Sequence, residues 1–151
     1  MLGPPPDDLG DPSLVIAGLS LWIYGRQFPE SEDFWDANWL RVTAICEAPG
    51  AIIRVTGSLL MSSDIERFGN QCRQLLDGKT SEARLDPVEP ELGVLVVSRD
   101  KLGHVIVQVQ ITPDNLSQHH HVEFEIDQSY LPAIIEQCGR IVEKYPIVGQ
   151  R

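Results

Sequence analysis

The stretch His119-His120-His121-Val122-Glu123-Phe124-Glu125-Ile126-Asp127, continued by Gln128-Ser129-Tyr130 and Leu131-Pro132-Ala133-Ile134-Ile135-Glu136-Gln137-Cys138-Gly139-Arg140-Ile141-Val142-Glu143-Lys144-Tyr145-Pro146, carries two hydrophobic periods in succession. Up to Asp127 apolar residues recur at every second position. His120, Val122, Phe124 and Ile126 share one face, which predicts a strand half-buried on that side. From Leu131 the spacing changes to that of a helix. Leu131, Ile134, Ile135, Cys138, Ile141, Val142 and Tyr145 make a single stripe that docks on a sheet. Asp127, Gln128 and Ser129 supply capping chemistry, and Pro132 falls in the first turn, where a missing N–H does no harm. Pro146 ends the helix.

Reading back from this pair, Leu102–Thr112 predicts a strand with Val105, Val107, Val109 and Ile111 facing in. It is reached through a turn at Arg99-Asp100-Lys101. Leu92–Ser98 is apolar on both faces, as a central strand is. Thr80–Leu85 predicts a weaker strand. Before it, Ile65, Phe68, Cys72, Leu75 and Leu76 recur at helical spacing after the N-cap cluster Ser62-Ser63-Asp64 and before the stop Asp77-Gly78. Earlier still, Leu40, Val42, Ala44 and Cys46 alternate with Trp39, Arg41, Thr43 and Ile45. Past the turn Ala48-Pro49-Gly50, Ile53, Val55 and Leu59 point inward. Leu14–Gly18 and Leu19–Tyr24 are apolar, with Gly18 marking a bend between two strands or within one. Pro29 to Asp36 reads as an acidic loop. Short turns between successive strands demand antiparallel pairing. The expectation is therefore an α+β domain, a curved antiparallel sheet in the order βββαββββα with two helices packed on it.

The 151 residues and 16.8 kDa suit one domain. Residues 13–151 are expected to form it, behind a flexible acidic, proline-rich tail over 1–12. Acids outnumber bases 22 to 12, for a net charge of −10. Residues 1–36 hold seven carboxylates against Arg26, so −6 of that charge sits in the first quarter of the chain. This field repels a phosphate backbone and an anionic membrane surface, and it favours a basic protein partner. No apolar run reaches the length of a membrane span, and the N-terminus lacks the pattern of a secretory signal. Cys46, Cys72 and Cys138 fall at apolar-face positions without metal-type spacing. Buried reduced thiols and a cytoplasmic location are the economical expectation. Oligomeric state is not legible, although an exposed apolar edge would support a dimer.

No catalytic constellation is readable. There is no Gly-x-Ser-x-Gly elbow, no phosphate-cradling glycine loop and no zinc-type helix motif. No cofactor is expected, and no enzymatic activity. One alternative site exists on the last strand, where alternation places His119, His121 and Glu123 on one face. Neighbours there lie about 6.6–6.8 Å apart, so the two imidazoles can share a transition metal. The competing reading is a solvated strand face. The more conspicuous segment is aromatic and acidic, with Trp22, Tyr24, Phe28, Phe34, Trp35 and Trp39 close in sequence. Glu30, Glu32, Asp33, Phe34, Trp35 and Asp36 are the candidate partner-binding residues, as aromatic anchors rimmed by carboxylates. Equally, the tryptophans suit a minor core, with Asp36 and Asn38 bonding to turn backbone.

The run Asp36-Ala37-Asn38-Trp39-Leu40-Arg41-Val42, preceded by Gly25-Arg26-Gln27-Phe28-Pro29, resembles the WapI-type family of bacterial immunity proteins. Leu85-Asp86-Pro87-Val88-Glu89-Pro90-Glu91-Leu92 resembles the lead-in to that family's second β block. Phe124-Glu125-Ile126-Asp127, Leu131, Ile141-Val142 and Tyr145-Pro146 resemble its terminal strand and helix. The resemblance spans about residues 13–146. It implies a protein that protects a bacterial cell by binding a nuclease-type toxin domain delivered by neighbours. No short family motif marks toxin-contacting residues, so none is carried over.

Overall fold

The computed structural model describes residues 8–150. Among these residues the first block holds four strands: β1 (Leu14–Ile16), β2 (Leu19–Arg26), β3 (Trp39–Ala48) and β4 (Ala51–Met61). A one-turn helix, α1 (Phe34–Ala37), interrupts it. Helix α2 (Ser62–Leu76) leads to β5 (Glu82–Leu85), β6 (Leu92–Ser98), β7 (His104–Ile111) and β8 (His121–Asp127). A 3-10 turn over Gln128–Tyr130 opens into α3 (Leu131–Lys144). The class is α+β with antiparallel sheets, but one curved sheet is replaced by two of four strands, β1-β2-β3-β4 and β5-β6-β7-β8. The strand count differs because Ala17-Gly18 makes a tight turn, pairing Ile16 with Leu19 and splitting one apolar run into a hairpin.

The inward residues of both sheets and the stripes of α2 and α3 meet in one core, in which Phe68 is the largest fully buried side chain. Helix α2 packs on α3, β4 and β5, and α3 packs on β1. The final helix runs as its spacing predicts, with Leu131, Ile134, Cys138 and Ile141 buried and Pro132 in the first turn. All three cysteines are buried and free. Burial pushes the thiols of Cys72 and Cys138 up to about 12, so neither offers a thiolate.

Local departures have local causes. The cap of α2 is Met61, not the serine cluster, because Asp64 reaches back to accept from Met61 N at 2.8 Å. Burial holds the Asp64 carboxyl above the ordinary range, partly offset by that N–H and by Arg67. A β-bulge shifts the β3–β4 register between Leu40 and Val42, so Leu59, Leu60 and Met61 are all buried in succession. Thr43, read as outward, is buried and exchanges a 3.0 Å hydroxyl bond with Thr56. Leu102 lies in the turn before β7. His120 precedes β8 rather than lining its inner face, because strand pairing begins at His121.

The tail expected over residues 1–12 falls mostly outside the described residues. Its last part runs beside β2, where Trp22 Nε1 donates to Gly10 O at 2.9 Å, and just after it Ser13 N donates to Leu21 O at 2.7 Å.

Candidate functional site

The acidic and aromatic segment forms a corner at the end of the first sheet, between β2 and β3. Its last residues, read as loop, are helical because Asp33 caps them. The Asp33 carboxylate accepts from Trp35 N at 3.1 Å, satisfying one of the N–H groups a helix start leaves open. One turn suffices to send neighbouring aromatic rings to different places. Phe34 points into the protein at 8% exposure, while Trp35 stands out at 48% and meets the Phe34 ring edge-on at 5.2 Å. Phe28 adds a second outward ring at 45% exposure. Glu30, Glu32, Asp33 and Asp36 are exposed around them. Phe34 is thus a support beneath the surface, and the other five candidates are presented to solvent.

The carboxylates stay uncompensated because Arg26, the base of this segment, is used internally. Its guanidinium donates to Ala37 O at 2.8 Å and to Pro146 O, and lies 5.9 Å from the Tyr145 ring centre. Among the described residues, none of Glu30, Glu32, Asp33 or Asp36 takes part in an ion pair.

What holds the corner in shape is Asn38, a residue with 0% exposure. Its Nδ2 donates to Phe34 O at 2.8 Å and to Val148 O at 2.9 Å. Its Oδ1 accepts from Val148 N at 2.8 Å and from Ser62 Oγ at 3.2 Å. All four hydrogen bonds an amide side chain can make in this way are filled. Asn38 therefore joins α1, the start of α2 and the C-terminal segment. That segment lies close against the corner: a Cβ on Gly149 would sit 3.1 Å from both Glu32 O and Phe34 N. The role of Asn38 as a turn bond was foreseeable; its tie to Val148, 110 residues away, carries no local signal. The other tryptophans, Trp22 and Trp39, are half-buried on the first sheet.

The histidine face is not assembled. His119 lies before β8, and His121 and Glu123 are exposed on it, with Glu123 accepting from Gln108 Nε2 at 2.9 Å. No group of three metal-type side chains converges among the described residues. His121 lines instead a shallow depression of about 300 Å³ on the second sheet, with Arg84, Asp86, Leu95 and Gln110.

His104, read as a partly exposed packing residue, forms an ion pair. Its Nδ1 lies 2.7 Å from Asp100 Oδ2, across the turn before β7. The hydrogen bond to Asp100 raises the imidazole above its ordinary value, and the same bond holds Asp100 below its own. The raised group contributes fully at low pH and loses its contribution as pH climbs through its folded value. The lowered carboxyl contributes at higher pH and loses its contribution as pH falls through its folded value. The turn is therefore best held between the two. The His104 midpoint read by NMR is expected above the ordinary histidine value, and Asp100→Asn is expected to bring it down. A midpoint unmoved by that change contradicts the pairing.

These features define a two-sheet α+β domain with three buried, free thiols. The immunity protein WapI-like family model matches residues 14–146, and the chain belongs to that family. No curated protein and no solved structure matches it.

Proposed function

We propose that this chain is the immunity partner of a toxin–immunity pair and that it neutralises a basic, nuclease-type toxin domain by binding it, without enzymatic chemistry, in the cytoplasm. The observation that carries this reading is the corner at Phe28–Asp36. There two outward aromatic rings are framed by Glu30, Glu32, Asp33 and Asp36, and Arg26 is turned inward away from them. Rings of this kind serve as anchors in an interface, and the carboxylates steer a positively charged partner into place. The toxin's own nucleic-acid ligand is anionic, so an acidic surface competes for the same basic residues.

The test uses the protein encoded beside this one as the probe. The triple change Glu30→Lys, Glu32→Lys, Asp36→Lys is expected to slow association at least tenfold at low ionic strength and to flatten its salt dependence. Trp35→Ala is expected to speed dissociation about tenfold. Asp33 is left intact because it caps α1. Surface-resonance kinetics that do not change in either variant place the interface elsewhere.

A further inference from the structure

Four strands form the edges of the two sheets, and three of them are closed. Strand β1 is three residues long, and its Val15 N donates to Gln137 Oε1 at 2.9 Å. Strand β5 is four residues long, and its Arg84 N donates to Gln71 Oε1 at 2.7 Å. Strand β8 is lined by the exposed carboxylates of Glu123, Glu125 and Asp127, which repel an approaching strand of this acidic chain. Short strands, side-chain caps and charges are the usual protections of a sheet edge.

Strand β4 has neither the short length nor a side-chain cap along its first half, and Arg54 is the one charge it carries there. It is eleven residues long. Glu47 N donates to Gly18 O on the β2 side of β3, so Ala44, Cys46 and Ala48 bond toward β4, through Val55, Ile53 and Ala51. That phase leaves the N–H and C=O groups of Ile52, Arg54 and Thr56 pointing away from the sheet, and no other described residue bonds to them. Ile52 is 74% exposed beside them, and Arg54 and Thr56 are exposed too.

We infer that this edge pairs antiparallel with the same edge of a second copy, about a two-fold axis at Val55. The argument for a copy is charge and register. With the axis at Val55, Arg54 lies opposite Thr56 of the partner subunit and Ile52 lies opposite Ser58 of the partner subunit. Shifting the axis by one residue, to Arg54, sets two arginines face to face, which like-charge repulsion disfavours. Although the chain carries −10, the edge is locally balanced, with Arg54 beside the cross-strand pair Glu47 and Ile52. The acidic corner adjoins the other end of β4, near Met61. Antiparallel pairing about Val55 puts the two strand ends about 40 Å apart at about 3.4 Å per residue. That is several times the ~8 Å over which charges interact at physiological salt, so the corners do not oppose the pairing. Both remain open to a partner.

A ladder this short buries little surface, so the dimer is a weak one, expected at about 100 µM chain rather than at nanomolar dilution. Sedimentation equilibrium of the full chain is expected to show dimer there, with amide exchange slowed at Ile52, Arg54 and Thr56 as concentration rises. Arg54→Pro removes a donor that the subunit's own ladder does not use. Ile52→Lys places a charge on an exposed site. Each is expected to weaken dimerisation at least tenfold, with circular dichroism unchanged. A chain that is monomeric throughout this range overturns the inference, as does a dimer indifferent to both changes. Protection of the three amides that appears only with the toxin domain also overturns it, by assigning the edge to that protein. None of these outcomes bears on the corner variants, which read a different surface.

Discussion

Gly18→Ala is expected to destabilise the protein by about 3 kcal/mol, the upper part of the range for forcing a methyl into a packed site. A Cβ there would lie 2.3 Å from Glu47 O and 2.5 Å from the Phe124 ring. The first contact is with backbone that itself bonds Gly18, through Glu47 N to Gly18 O at 2.9 Å. It cannot retreat without breaking the β2–β3 ladder. The second is with a ring on β8, in the other sheet. Gly18 is thus glycine for room, not for conformational freedom, since the positive φ of this turn belongs to Ala17 at 54°. Reversible urea unfolding gives the measure: the midpoint falls while the slope is unchanged. Phe124→Leu, which gives the methyl somewhere to go, is expected to recover part of the loss in the double variant. A Gly18→Ala midpoint within experimental scatter of the parent would mean that the sheets do not meet there.

Asn38→Ala is expected to cost a similar amount, about 3 kcal/mol, for a different reason. Truncation strands Val148 N, Val148 O and Phe34 O in a place that solvent reaches poorly, and each orphaned buried group costs roughly 1–3 kcal/mol before relaxation. The C-terminal segment can relax by peeling away, which caps the loss. That relaxation has a functional consequence. Once Val148 is released, α1 loses the side-chain tie at its end, and Trp35 and Asp36 are no longer held in a set geometry. Hydrogen exchange is expected to accelerate over residues 28–37 and 146–149 before it changes in β6 or β7. Asn38→Asp separates the two halves of the effect: it retains an acceptor for Val148 N and Ser62 Oγ and loses both donated bonds. Equal exchange in the corner and the central strands would mean that Asn38 contributes to global stability alone.

These two positions mark how far residues alone carry the fold and the site. Each buried stripe was legible because hydrophobic period is a local property: Leu131 to Ile141 declares a helix, and Val105 to Ile111 a strand, without reference to the rest of the chain. The turns at Pro49-Gly50 and Asp77-Gly78 were legible for the same reason. The candidate surface stood out as composition, since rings and carboxylates crowd between Trp22 and Trp39. Its geometry did not. Period does not say that Phe34 turns in while Trp35 turns out, because a single helical turn is too short to show a period. On the histidine face the strand boundary differs, as His119 lies two residues before the strand that was expected to include it.

The sequence by itself determined the antiparallel α+β class, most of the inward faces, the burial of Cys46, Cys72 and Cys138, and the excess of negative charge near the N-terminal quarter. Tertiary structure alone decided that there are two sheets rather than one, that Asn38 grips a segment 110 residues away, that Arg26 spends its charge inward, and that β4 keeps an open edge. The division has one physical cause. Periodicity and turn chemistry act over a few residues and are written in order along the chain. Which strand stands at an edge, and which buried amide meets which distant carbonyl, depends on how the elements close around a shared core.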